Sequence, residues 1–247
     1  MNNIKKELEY LNKYLEKEKL EDGIRRLKNG EPVQYIVGNV DFYGLNFNVN
    51  KNVLIPRFET EELVEKTIKY IKKYLNNNID IVDIGTGSGC IAITLKKELN
   101  CNMDAVDISE KALEVAKINA IKNNVLVNFI KGDILKPLIK KYDVIISNPP
   151  YIRYDEEIMD IVKNNEPHLA LFASDEGMFF YKEIIKNSKN YLKEKNILAF
   201  EIGYEQGHYL EEYARKYFPK AIIKIEKDLS NKDRFLFIIN NWHCILK

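Results

Sequence analysis

Apolar residues over 3–29 recur at helical spacing, with Ile4, Leu8, Leu11 and Leu15 on one face among Lys and Glu. Gly23 is expected to divide this stretch into two helices and Gly30 to end the second, the charges forming a solvated face. From residue 31 the period changes. Residues 40–43 and 45–49 flank Gly44 and partly alternate, as a β-hairpin does. After a loop at 56–60, residues 61–75 read as a helix with Leu63, Val64, Ile68 and Ile71 on one face and Thr60 as N-cap. Strands are expected at 79–84, 102–107, 126–130, 142–147, 196–202, 220–226 and 234–240, and helices at 89–98, 109–122, 177–194 and 204–217.

That alternation predicts a doubly wound, mostly parallel α/β sheet of seven strands. Continuous apolar runs such as Val144-Ile145-Ile146 suit strands covered on both faces. Only residues 227–233 separate the last two strands, too few for a parallel crossover, so the final strand is expected to be antiparallel. Three segments follow: a short helical segment at 1–30, a hairpin linker at 31–55 and an α/β domain at 56–247.

Composition narrows the setting. The 247 residues are 45% hydrophobic and 30% charged, with net charge +1, so the basic excess common in duplex-binding proteins is missing. The start carries no apolar leader and no run reaches membrane-span length, so a cytoplasmic protein without a membrane partner is expected. Cys90, Cys101 and Cys244 are far apart and predict no disulfide framework, in keeping with a reducing compartment. His168, His208 and His243 have no metal-ligand spacing, and no metal is expected.

The first α/β strand runs into Gly85-Thr86-Gly87-Ser88-Gly89 and a helix. Glycines there let the backbone approach a ligand at the carboxyl edge of the sheet. The spacing departs from the Gly-x-Gly-x-x-Gly dinucleotide fingerprint. Asp83 at the strand end suits the ammonium of a methionine moiety and would repel a pyrophosphate. Both details favour S-adenosylmethionine. Asp107, with Ile108 beside it, ends the second strand 22 residues after Gly85, where a carboxylate can accept from both ribose hydroxyls. Its other reading is a helix N-cap, a role Ser109 can fill. Asp133 could accept from an adenine amino group and Ile134 could pack on the ring; a plain turn aspartate is nearly as good a reading.

Ser147-Asn148-Pro149-Pro150-Tyr151 follows the fourth strand. Two prolines fix φ, remove N–H donors and leave carbonyl acceptors. A planar NH₂ is a poor nucleophile because its lone pair is delocalised. The Asn148 side-chain oxygen and the Pro149 carbonyl could accept both of its N–H bonds, hold the nitrogen and raise its electron density as it attacks a methyl group. Tyr151 could lie on the planar group. Catalysis would then be positioning and electrostatic preorganisation, with the proton shed after transfer. The alternative is a strand-ending turn with Tyr151 as filler.

These residues resemble amino-group methyltransferases with an Asn-Pro-Pro-Tyr signature. Within that group the chain resembles the release factor glutamine methyltransferases from about Gly30 onward. The resemblance is carried by residues 30–38 (GEPVQYIVG), 42–44 (FYG), 53–61 (VLIPRFETE), 166–171 (EPHLAL), 205–207 (EQG) and 233–234 (DR). It implies the class I methyltransferase (Rossmann-like) fold, S-adenosylmethionine as cofactor and, as substrate, the glutamine of the Gly-Gly-Gln loop of peptide chain release factors. Asn148 to Tyr151 would bind that glutamine and Asn148 would touch the cofactor too. Arg57 and Glu61 would shape the pocket's lid, and the chain is expected to act as a monomer with no nucleic-acid substrate. Three features depart from the family pattern. Phe58 stands where proline is usual, only about 30 residues precede Glu31 where several helices are usual, and an aromatic common near the position of Ile134 is missing. Three other readings share these motifs: an adenine amino-group methyltransferase acting on nucleic acid, a glutamine methyltransferase of a ribosomal protein, and a non-catalytic cofactor-binding module.

Overall fold

The computed structural model describes residues 2–75 and 78–241. His243, Cys244 and the side chain of Ile4 lie outside the described set. Helices α1 (Asn2–Tyr14) and α2 (Lys17–Lys28) are followed by the short α3 (Val33–Val37). The break between the first two falls at residues 15–16 and not at Gly23, which is buried within α2. A Cβ there would stand 2.6 Å from Leu15 Cδ1 and 3.3 Å from Ile36 Cγ2. The glycine serves close packing rather than chain reversal. Leu11, Val33 and Ile36 form the buried centre of this small helical cluster.

The hairpin pairs β1 (Asn39–Phe42) with β2 (Leu45–Asn48). Its two turn residues, Tyr43 (φ 50°) and Gly44 (φ 73°), are both left-handed, the geometry that matches strand twist in a two-residue turn. Phe42 and Phe47 meet edge to face at 5.8 Å and enter the main core. Helix α4 (Phe58–Tyr74) starts three residues earlier than expected, so Thr60 lies in its first turn and is not its cap.

The α/β domain alternates β3 (Ile79–Ile84), α5 (Cys90–Glu98), β4 (Cys101–Asp107), α6 (Glu110–Lys122), β5 (Asn128–Lys131) and β6 (Tyr142–Ser147). It continues with α7 (Asp160–Asn165), α8 (Phe179–Asn187), β7 (Leu192–Glu201), α9 (Gly207–Tyr217), β8 (Ile222–Lys227) and β9 (Asp233–Asn240). The sheet order is β5-β4-β3-β6-β7-β9-β8, and β9 pairs antiparallel with both of its neighbours. One core cluster joins the hairpin, α4 and α5 to one face of the sheet, and a second joins α8 and α9 to the other.

Two elements differ from the sequence expectation. The helix expected over 177–194 stops at Asn187, passes through a tight turn at Ser188–Tyr191 and becomes strand at Leu192. The polar run Lys193-Glu194-Lys195 fits helical spacing, yet Lys193 Nζ reaches Asp80 at 2.5 Å and Asp143 at 2.7 Å, fixing this segment beside β3 and β6. Helix α9 begins at Gly207 rather than 204, because the turn before it holds the Gln206 side chain against Gly203. Helices α3 and α7 were not anticipated; both are too short to show a period.

Strand order reverses between β3 and β6: the chain leaves β3 for β4 on one side and returns to β6 on the other. The crevice beyond the carboxyl ends of these strands is where open α/β sheets bind ligands. Among the described residues no helix is long and apolar enough to cross a membrane, and no cluster of His, Cys, Asp and Glu could hold a metal ion.

Candidate active site

A cavity of about 230 Å³ opens at this switch point. The β3–α5 turn contributes Gly85 to Ser88, the end of β4 contributes Asp107 to Ser109, and the turn after β5 contributes Gly132 to Ile134. The end of β6 contributes Ser147 to Pro150, and Pro56, Thr60, Pro167 and Leu169 close the far side. A second hollow of about 360 Å³, at the other end of β7 and β9, gathers none of these groups.

The glycine turn is pinned by its neighbour strand: Gly85 N–H and Thr86 N–H donate to Val106 O at 2.9 and 3.0 Å. Gly89 lies off the cavity wall. With φ +82°, and a Cβ that would stand 3.1 Å from Ala116 Cβ, it sets the contact between α5 and α6. The hairpin is locked to this turn through Asn119 of α6, which accepts from Asn48 N–H and donates to Asn48 O and Ser88 O.

Asp107 is held by the Gly87 N–H on one oxygen and the Ser109 N–H on the other, each at 2.8 Å. Ser109 caps α6 by accepting from Ala112 N–H. Burial raises the Asp107 carboxyl above its usual value, and the backbone donors oppose that. A carboxylate oxygen has room for more than one donor, so the fixed group can still accept from a diol in the cavity. Ile108 beside it is exposed at the rim. Asp133 lines the cavity while paired with Lys136 at 2.5 Å, and Ile134 lines it with φ 52°.

Asp83 is placed otherwise. It is fully buried beneath the turn, accepts from Thr86 Oγ1 at 2.6 Å and leaves Oδ1 without a partner. Burial pushes its carboxyl up to about 7. The reason is topological: the side chain belongs to a strand covered on both faces, so it reaches the cavity only through Thr86. Glu61 is not on the wall, since one step along a helix turns a side chain by roughly 100° from Thr60. Arg57 forms a strut behind the wall. It donates to Ile55 O and pairs with the buried Glu166, whose other oxygen accepts from Ile55 N–H. This ties the segment before α4 to residues 166–170 and sets the roof.

The loop after β6 is held from three sides. Ser147 Oγ donates to Ile84 O at 2.6 Å. Asn148 Nδ2 donates to Thr60 Oγ1 at 3.1 Å, and Thr60 Oγ1 donates to the buried Glu201 at 2.6 Å. With its NH₂ committed inward, Asn148 has its carboxamide oxygen left for the cavity. Gln206 Nε2 donates to Tyr151 O at 3.2 Å, and Gln206 Oε1 accepts from Gly203 N–H at 2.9 Å. The Tyr151 ring is not on the cavity wall. It packs into the cluster on the α8 side, with its phenol near Glu201 and Arg234.

Sequence reasoning missed Thr60 as a contact of Asn148, and it missed Glu166, Glu201 and Gln206 as supports. Glu201 did carry a signal. Like Asp83 and Asp107, it is a carboxylate closing a buried apolar strand at the edge where ligands bind.

Comparison with known proteins bears on this geometry. The family described as "Methyltransferase small domain" matches residues 62–170. The release factor glutamine methyltransferase of Streptococcus pneumoniae is 41% identical over 226 residues, spanning 90% of this chain and 80% of that one. That of Bacillus subtilis is 43% identical over 215 residues, spanning 84% and 75%. Among solved structures, a methyltransferase from Pyrococcus furiosus superposes with a TM-score of 0.60 at 19% identity, covering 81% of this chain and 90% of that one. The protein-(glutamine-N5) methyltransferase (release factor-specific) of Alicyclobacillus acidocaldarius gives 0.50 at 24% identity, covering 79% and 99%.

Proposed function

The chain belongs to the release factor glutamine methyltransferases, and from that premise we propose that it methylates the side-chain amide of the glutamine in the Gly-Gly-Gln loop of peptide chain release factors. The observation that carries the reading is the Asn148 carboxamide, whose NH₂ is taken by Thr60 at the cavity edge beside two prolines that offer only carbonyls.

The residues present fit S-adenosylmethionine. A tight glycine turn, a fixed carboxylate at Asp107 and an apolar wall at Ile134 surround one cavity. When bound, the cofactor supplies an electrophilic methyl group on a sulfonium sulfur. Gly85 to Ser88 would hold its amino-acid part, Asp107 would accept from its ribose hydroxyls, and Asp133 and Ile134 would border its base. Asn148 Oδ1 and the Pro149 carbonyl would accept from the substrate NH₂, holding the nitrogen in the cavity and polarising the amide π system toward it. The methylated nitrogen would then shed its proton to solvent, with Asn148 Oδ1 and the Pro149 carbonyl as the acceptors nearest to it. Tyr151 braces this loop through its ring packing and carbonyl. The protein is proposed to act in the cytoplasm as a monomer without a nucleic-acid substrate.

The test is mass spectrometry of a Gly-Gly-Gln peptide and of whole release factor after incubation with the chain and S-adenosylmethionine. A single methyl group on the glutamine is expected. Methylation of a ribosomal-protein glutamine or of adenine in RNA or DNA, with the release factor untouched, overturns the assignment.

A further inference from the structure

Resting on the reading above, we propose that Thr60 and Glu201 are positioning residues that fix the polarity of the Asn148 carboxamide, turning its oxygen and not its NH₂ toward the substrate. An asparagine side chain is nearly symmetric in shape, yet its two ends are opposite in function. An oxygen in the cavity accepts from the substrate NH₂; an NH₂ there would set donors against donors.

The motif cannot choose between these two states, but a chain of hydrogen bonds behind it can. Glu201 ends β7 and is 3% exposed, as is Thr60 in the first turn of α4. An ionised carboxylate only accepts, so the Thr60 hydroxyl must donate to it, at 2.6 Å. The remaining lone pairs of Thr60 Oγ1 then require a donor, and Asn148 supplies Nδ2–H at 3.1 Å. The Asn148 NH₂ also lies against Glu201 itself. Every link points the same way, and the last atom in line is the Asn148 oxygen.

The polarity depends on the charge of Glu201. Protonated, Glu201 can donate to Thr60 Oγ1, whose own proton can then turn to Asn148 Oδ1 and release the NH₂ into the cavity. The groups facing Glu201 come from several elements. Arg234 of β9 favours the charged form, while Glu59 of α4 opposes it. The Tyr151 and Tyr181 phenols and the Cys90 thiol stand near, and Tyr181 donates to the Glu201 backbone carbonyl rather than to its carboxylate. Burial dominates and pushes the Glu201 carboxyl up to about 7. The reversal therefore falls near neutral pH.

The test uses the full chain, S-adenosylmethionine and a Gly-Gly-Gln peptide, with Thr60→Val, Thr60→Ser and Glu201→Gln. Valine keeps the shape and loses the hydroxyl, so kcat is expected to fall roughly 10- to 100-fold with the calorimetric Kd for the cofactor unchanged. Serine restores the hydroxyl and is expected to return kcat close to that of the unaltered chain. Glu201→Gln, whose amide can donate as well as accept, is expected to lower kcat and to abolish the acid limb of the kcat pH profile. Wild-type kcat in Thr60→Val, an equal loss in Thr60→Ser, or an acid limb retained in a folded Glu201→Gln each overturns the relay. Should Glu201→Gln fail to fold, the Thr60 pair decides alone. If the unaltered chain binds cofactor but leaves the peptide unmethylated, the substrate assignment fails and the relay with it. Turnover by the unaltered chain with Thr60→Val undiminished overturns the relay only.

Discussion

Gly177 is far in sequence from the acceptor loop, yet adding one methyl group there should cripple methyl transfer. Its φ is +77°, a region that costs an L-residue about 1–2 kcal/mol. A Cβ at Gly177 would stand 2.2 Å from Tyr151 O, 3.0 Å from Tyr151 C and 2.8 Å from Gln206 Nε2. The first of these lies roughly 1 Å or more inside ordinary contact, and the atom it meets is backbone, which cannot swing aside as a flexible side chain does. Tyr151 follows Pro149-Pro150 directly, and prolines with fixed φ transmit a shift rather than absorb it. The Gln206 to Tyr151 O bond is lost in the same movement. A displacement of about 1 Å at the reacting groups is enough to cost on the order of 100-fold in rate. The strain alone predicts a fall in Tm of about 2–4 °C per kcal/mol for a chain of this size. Gly177→Ala is therefore expected to keep the calorimetric Kd for S-adenosylmethionine, lose a few degrees of Tm and lose about 100-fold in kcat on a Gly-Gly-Gln peptide. A variant that melts lower yet turns over at the native rate would show that the loop tolerates movement and would refute the positional argument.

Asn148→Ala removes an acceptor that acts as the nitrogen attacks; kcat is expected to fall by about 10²–10³, the size of losing one preorganised group, while cofactor Kd holds, and a near-native rate would discard the role given to Asn148. Asp107→Ala is expected to weaken cofactor binding by roughly 10- to 100-fold, as losing hydrogen bonds to a charged acceptor does, and an unchanged Kd by calorimetry would remove the ribose assignment. Asp83 gives a pH signature. Its folded carboxyl is pushed up to about 7, chiefly by burial, while in the unfolded chain it titrates near the ordinary carboxylate value. Between these values the folded state holds the extra proton, so stability from this group is full in acid and is lost as pH rises through about 7. Asp83→Asn should therefore melt above the unaltered chain at pH above about 7 and lack that decline; parallel Tm curves for the two proteins would contradict it.

Much of the fold is legible in the sequence where one period dominates. The apolar runs of β3 and β6, the hairpin turn at Gly44 and the short link before β9 each predict their element because a local rule decides the local outcome. The glycine turn and Asp107 are legible for the same reason, since a strand ending in a carboxylate or a glycine bend is a local feature. Thr60, Glu201 and Gln206 are not. Thr60 meets Glu201 across 141 residues and Asn148 across 88, and no spacing rule along the chain reports such a meeting. Gly23 fails in the same way: a glycine in a charge-rich helical stretch reads as a break until Leu15 and Ile36 are known to press against it. Lys193 is misread as helical because its partners, Asp80 and Asp143, sit on two other strands.

The acceptor loop shows why those distant partners matter to the chemistry. Prolines at 149 and 150 stiffen the chain, but they also remove two N–H groups by which a loop ordinarily fastens itself to its surroundings. What the motif lacks in donors must come from outside it. Ser147 anchors to the strand alongside, Asn148 to the first turn of α4, and Tyr151 O to Gln206 in the turn before α9. Each anchor fixes a different degree of freedom: depth against the sheet, the sense of the amide, and the exit direction of the chain. An Asn-Pro-Pro-Tyr sequence set at a strand end without a counterpart of Thr60 would still be stiff. Its asparagine, though, would be free to present either end to a visiting amide, and in one of the two states it would repel the nitrogen it is meant to hold.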